Sequence, residues 1–327
     1  MWPVLPDDAE VADWLRRLGA DPLDAAQLLA ARPGPHRLDE LAATRDTLVA
    51  GIDVVDEELP WPDEADTDTY FYGWSLLAAL PAIRGHHEKL EVPDDVSWHS
   101  LGDFGLQLAR YRRLRGRGGL ASSDWLTLHF RGLLYRLGRL QFQRLAGLPS
   151  SPTGDLLARD AAQHARDGDA RGAGHGQRSP ATGQPATGSA LSVHITADQP
   201  LTPRACDESF ALAARFFDRY HADEEYRWAV CHSWLLDEQL ARYLPPDSNI
   251  LRFQRRFEVP EAAPAEESDL TVLKYVFDRP AEPLRDGELD ALPQVTTLQR
   301  AIVGHLRDGG HWQSRSGWRR LEPDGRH

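Results

Sequence analysis

Apolar residues at helical spacing fill the first 137 positions. Val11, Trp14, Leu15 and Leu18 recur at intervals of three and four before Gly19, and a second helix is expected after Pro22. Leu38, Leu41, Leu48, Ile52 and Val55 keep the period until Pro60-Trp61-Pro62 ends it, because proline cannot continue a helix. An acidic loop at 63–68 follows, and then a stretch from 70 to 80 that is apolar nearly all round, as suits a helix inside a bundle. A further helix is expected over about 100–115, stopped by Gly116, Gly118 and Gly119. Another, capped by Ser122 or Ser123, carries Trp125, Leu126, Leu128, Phe130, Leu133 and Leu134.

At 140–145 the pattern changes to alternation of apolar and polar residues, the mark of a half-buried strand. Residues 150–189 are rich in Gly, Ala, Ser, Thr, Pro and Gln, with charged residues among them and little apolar content. Such a segment buries too little to offset its ordering entropy, so it reads as a disordered insertion. Alternation resumes at 191–196, the expected antiparallel partner of 140–145. Pro203 opens a helix with the stripe Phe210, Ala213, Ala214 and Phe217. Strands are expected at 226–234, 249–259 and 270–277, helices at 237–244 and 296–307, and a short strand pair over 312–321. The fold class is therefore α+β: a helical domain over 1–137, then a mixed β-sheet with flanking helices over 138–327, interrupted at 150–189.

Length allows about two domains, and charge narrows the partners. Lys and Arg number 37 against 50 Asp and Glu, a formal charge of -13, so a nucleic-acid backbone would be repelled and is not an expected partner. Arg110, Arg112, Arg113, Arg115 and Arg117 form one basic cluster, suited either to a small anionic ligand or to a helix end whose dipole favours cations. Two cysteines, Cys206 and Cys231, make no disulfide framework. No leader pattern and no run near the roughly 18 apolar residues of a membrane span is evident, so the cytoplasm is the expected compartment and no membrane partner is expected.

The densest chemistry is the run from Val230 to Asp237, which contains Cys231, His232, Ser233 and Trp234. On a strand, Cys231 and Ser233 point one way while His232 and Trp234 point the other, so Cys231 and His232 make a poor nucleophile and base pair. His194, on a neighbouring strand, is the alternative partner. Cys231 is either a small buried hydrophobe or a general acid or nucleophile, and His194 and His232 are either core histidines or bases. The Cys and His spacings fit no zinc pattern, and no metal is expected. Arg113, Gly116 and Gly118 spell Arg-x-x-Gly-x-Gly, a phosphate cradle at a helix N-terminus or simply a helix C-cap. Asn249 offers a side-chain amide beside the sheet, or a turn.

Leu137-Gly138-Arg139-Leu140-Gln141-Phe142, Val193-His194-Ile195, Val230 to Leu236 and Asp247-Ser248-Asn249-Ile250 together resemble a bacterial acyltransferase-domain family. In that family a helical N-acyltransferase N-terminal domain precedes a GNAT-like C-terminal domain, and the likeness spans about 8–280 apart from the insertion. It implies a GNAT-like sheet, acyl-CoA as co-substrate with no permanently bound cofactor, and transfer of an acyl group to an amine. It also implies a base, His194 or His232; an acid, Cys231; Trp234 and Asn249 on the substrate; and Arg113, Gly116 and Gly118 on the CoA phosphates. Ordinary GNAT enzymes place that phosphate loop between a strand and its helix, whereas Arg113 follows a helical stretch. The alternatives are a non-catalytic ligand-binding or structural protein on the same scaffold, and a thiol hydrolase using Cys231.

Overall fold

Cap chemistry starts the N-terminal helices where the apolar period does. The computed structural model describes residues 5–55, 59–61, 69–146, 189–260 and 265–321, so the acidic loop at 63–68 and the insertion up to residue 188 lie outside the described residues. Asp7 caps α1 (Asp8–Arg17) by accepting from the Glu10 amide at 2.9 Å, and Asp21 caps α2 (Pro22–Ala30) by accepting from the Leu23 amide at 2.9 Å. Then follow α3 (Leu38–Ala50), α4 (Phe71–Lys89), α5 (Asp94–Leu101), α6 (Asp103–Arg115) and α7 (Ser123–Phe130). Phe71, Trp74, Leu77, Leu80 and Ile83 of α4 are buried in one cluster with Leu15, Leu28, Leu48, Phe104 and Phe130. Each such side chain contributes about 1.5–3 kcal/mol of burial.

The helix expected to run through Leu134 stops at Phe130. Gly132 adopts a left-handed φ of 67°, and Leu134–Leu137 form the strand β1 instead, buried at every position. The chain forms two compact units, one of Met1–Leu137, Gln141–Gln143 and Asp278–Pro280 and a second of Gly138–Leu140, Arg144–Phe277 and Ala281–His327.

In the second part of the chain come β2 (Leu140–Leu145), β3 (Ala190–Ile195), α8 (Pro203–Tyr220), β4 (Trp228–Ser233), α9 (Asn249–Gln254), β5 (Glu266–Glu267), α10 (Asp269–Val276), α11 (Glu288–Ala291), α12 (Thr297–Arg307) and β6 (Gln313–Arg320). The strand order is β1-β2-β3-β4-β6-β5. β3 neighbours β2, as expected, and pairs in parallel with β4, while β6 runs antiparallel to both β4 and β5. The α+β class of the sequence reading holds.

Two expected strands are helices. Ser248 accepts from the Leu251 amide at 3.3 Å and starts α9 within 249–259, and α10 occupies 270–277 with Val272 and Leu273 buried. A short apolar run suits either element, and here burial on one helical side decided. The pair expected at 312–321 is the single strand β6, held on both edges. No helix among the described residues is long and apolar enough to cross a membrane.

Candidate active site

The parallel pair β3 and β4 comes apart partway along. Its register runs Ala190↔Trp228, Leu191↔Ala229 and Ser192↔Val230 and goes no further, although β3 continues to Ile195 and β4 to Ser233. The other edge of β4 stays paired with β6 to the end, through Cys231↔Gly317, His232↔Ser316 and Ser233↔Arg315. The result is a wedge at the carboxyl ends of two parallel strands joined by a helix, the end at which α/β crossovers hold ligands. Residues 193–195 and 231–233 bring to it backbone groups that the β3–β4 ladder does not use.

Alternation from the register fixes which side chains flank the wedge. Ser192 and His194 share the face of Val230 and His232, so the two histidines stand on one side of the sheet, each two residues past the last registered pair and on opposite arms. His194 is half-buried and His232 exposed. His232 Nδ1 lies 2.9 Å from Ser316 Oγ on β6, and its Nε2 lies 3.5 Å from a Glu266 carboxylate oxygen on β5. Beside them, Ala190, Trp228, Val230 and Trp318 pack into a small apolar cluster.

Cys231 faces the other way and is corrected to a core residue. A Cβ on its cross-strand partner Gly317 would meet the side chains of Phe257, Val259 and Leu236 at 2.9–3.1 Å, so that face is covered. Burial pushes the Cys231 thiol up to about 12, which disfavours the thiolate that a nucleophile needs. Trp234 is likewise a packing residue, buried in a cluster with Leu240, Leu244, Leu251 and Trp312. Asn249 is the exposed first residue of α9.

Arg113, Gly116 and Gly118 also need correction. Gly116 takes a left-handed φ of 66° and its amide bonds to the Arg112 carbonyl at 2.9 Å, so the motif closes the carbonyl end of α6 and aims no row of N–H donors. A Cβ on Gly118 would meet Gln27 at 1.9 Å, and Arg113 pairs with Asp278 at 3.3 Å. The strand-to-helix turn that the sequence reading passed over is the segment after β3. There Thr202 caps the 18-residue helix α8 by accepting from the Ala205 amide at 3.4 Å, with Pro203 in its first turn. Thr202-Pro203, reached by a short polar connection after an alternating strand, was the available signal.

Glu267, Asp269 and His311 each bring a ligand atom within 4.8 Å of the others, a group that could hold a metal ion. His311 Nδ1 already bonds Asp269 at 2.7 Å, and an ion pair accounts for the geometry by itself. That carboxylate holds the His311 ring above its ordinary pKa.

Two family models match the chain: an N-acyltransferase N-terminal domain over residues 9–132 and a GNAT-like C-terminal domain over residues 134–319. Among solved structures, an acyltransferase in complex with decanoyl-CoA is 31% identical with a TM-score of 0.78, covering 97% of this chain and 89% of that one. An acyltransferase in complex with decanoyl-CoA and teicoplanin is 34% identical with a TM-score of 0.78, covering 98% and 90%. An acyltransferase mutant in complex with octanoyl-CoA is 33% identical with a TM-score of 0.77, covering 97% and 90%. No curated protein matches. The chain belongs to the acyltransferase family in which an N-acyltransferase N-terminal domain precedes a GNAT-like C-terminal domain.

Proposed function

We propose that the acyl-CoA-dependent transfer expected of this family runs at the wedge between β3 and β4, with an amine as acceptor and His194 and His232 as the proton-handling pair. The observation that carries the reading is the parting of the two strands after Ser192 and Val230. An extended thioester arm laid in the opening would take up backbone groups on both edges as an added strand does. Its carbonyl would then sit beside the two histidines.

The amine nitrogen attacks the thioester carbon and forms the C–N bond, and backbone N–H groups of the wedge stabilise the oxyanion. Collapse breaks the C–S bond and releases CoA as a thiolate. His194 takes the proton from the amine. His232, oriented by Ser316 and Glu266, returns one to the leaving sulfur. Because the solved relatives hold octanoyl- and decanoyl-CoA, those are the first donors to try, and teicoplanin, present with one of them, is the first acceptor. Buried free thiols at Cys206 and Cys231 fit a reducing cytoplasm.

The test is steady-state kinetics of His194→Ala and His232→Ala beside their thermal melts. His194→Ala is expected to lose about 10²-fold or more in kcat with an unchanged melt. Full turnover in both variants would remove the pair from the chemistry. Saturable stabilisation by acyl-CoA without turnover on any amine would instead favour the non-catalytic ligand-binding reading.

A further inference from the structure

The two arms of the wedge are held differently. The β4 arm is paired with β6 as far as Ser233↔Arg315, whereas the β3 arm runs on to Ile195 past its last registered pair with β4, Ser192↔Val230. A buried arginine grips the chain where that arm ends. Arg139, 4% exposed, lies in the turn between β1 and β2. Its guanidinium donates to the Thr196 carbonyl at 2.8 Å, the Thr196 hydroxyl at 3.3 Å and the Pro200 carbonyl at 3.1 Å. Each of the three nitrogens makes one of these bonds. A planar fork aimed at acceptors on both residues fixes the direction in which the chain leaves β3 and enters the connection to α8.

The turn that carries Arg139 is itself anchored. Gly138 takes a left-handed φ of 72°, and the Arg139 and Leu140 amides both donate to the hydroxyl of Ser209 on α8, at 2.7 and 3.1 Å. A Cβ on Gly138 would meet that hydroxyl at 2.9 Å, so the turn lies directly against the helix. Gly138–Leu140, Thr196, Pro200 and Ser209 all belong to the second compact unit. The fork therefore reaches the end of β3 from a fixed base.

We propose that Arg139 is the positioning residue of the wedge: its grip on Thr196 and Pro200 sets the place of the β3 arm and, with it, of His194, two residues before Thr196. This inference rests on the reading of the wedge as the site of acyl transfer. Buried and bonded to the connection, Arg139 acts through the backbone and not on the substrates. If the arm shifts by about an ångström, the base leaves hydrogen-bond reach of the amine proton, and such misplacements cost up to about 10²-fold.

Arg139→Lys, which keeps the charge and loses the fork, tests it beside His194→Ala. It is expected to lower kcat by about tenfold or more. Hydrogen exchange of the substrate-free protein, read by mass spectrometry, is expected to rise over 193–202 and to stay unchanged over 228–233. The control is the same exchange at the other end of β2, where Arg144 is equally buried and its Nε lies 3.2 Å from both Glu224 and the Tyr226 hydroxyl. Arg144→Lys should lower the melting temperature and keep wild-type turnover. Should Arg139→Lys not fold, Thr196→Val removes one acceptor of the fork and is expected to lower kcat about threefold with an unchanged melt. Wild-type turnover there would overturn the role. A rise in exchange spread evenly over the chain, or wild-type turnover in Arg139→Lys while His194→Ala has lost it, overturns the positioning role and leaves the wedge as the site. Wild-type turnover in both Arg139→Lys and His194→Ala removes the wedge reading as well.

Discussion

His232 is oriented from two strands that are distant in sequence, by the Ser316 hydroxyl on β6 and the Glu266 carboxylate on β5. If it returns the proton to the leaving thiol, Ser316→Ala and Glu266→Gln should each lower kcat by about tenfold, the ~1.5 kcal/mol typical of a hydrogen bond to a charged group. They should do so while leaving KM and the thermal melt unchanged, whereas a merely structural contact would lower the melt. Its neighbour Cys231 lies in the opposite environment. Burial raises the thiol pKa of both Cys231 and Cys206. Neither should therefore be alkylated by iodoacetamide in the native protein at pH 8, and both should be labelled after unfolding, as read by intact mass. Labelling of native Cys231 would reopen the thiol chemistry. The opposed directions of these two neighbours followed from strand alternation in the sequence, but which direction met water did not.

At the scale of elements, α6 shows why the Arg113-x-x-Gly-x-Gly spelling was misleading. The glycines that suit a phosphate cradle also suit a left-handed cap, and only the end of the helix on which they fall separates the two. Arg113→Ala should accordingly leave CoA affinity unchanged. The glycine of α6 that matters for packing is Gly105, whose amide bonds the Leu18 carbonyl at 3.2 Å; a Cβ there would meet that oxygen at 2.5 Å. Backbone cannot yield as a side-chain tip does, so Gly105→Ala should cost about 1–3 kcal/mol and lower the melting temperature. An unchanged melt would show that α6 can move away from Leu18. Strand–helix ambiguity at 249–259 and 270–277 has a similar origin, since both segments are short and apolar enough for either element.

For the molecule as a whole, stability should depend on pH through a buried polar cluster. Asp103 accepts from Gln107 at 2.9 Å, Trp125 at 3.1 Å and Gln141 at 3.0 Å, and lies 3.8 Å from the fully buried His129. Burial holds the His129 pKa below its ordinary value, with Asp103 opposing. The folded protein then binds fewer protons there than the unfolded chain. This contribution is complete above the ordinary histidine pKa and is lost as pH falls towards the depressed folded value. The wild-type melting temperature should fall between pH 7 and 5 more steeply than that of His129→Gln, and parallel curves would remove His129 as the cause.

What the sequence determined by itself was local: the helical period of the first 130 residues, the alternation that set Cys231 against His232, the opening of α8 at Pro203 and the motifs resembling the acyltransferase family. Each depends on neighbours a few positions apart, which spacing records. Tertiary structure alone decided where β3 and β4 part, which strands bring Ser316 and Glu266 to His232, and that Arg139 grips the chain at Thr196 and Pro200. Those arrangements depend on strand register and on pairing between distant segments, His232 and Ser316 being 84 residues apart, and no local period encodes either.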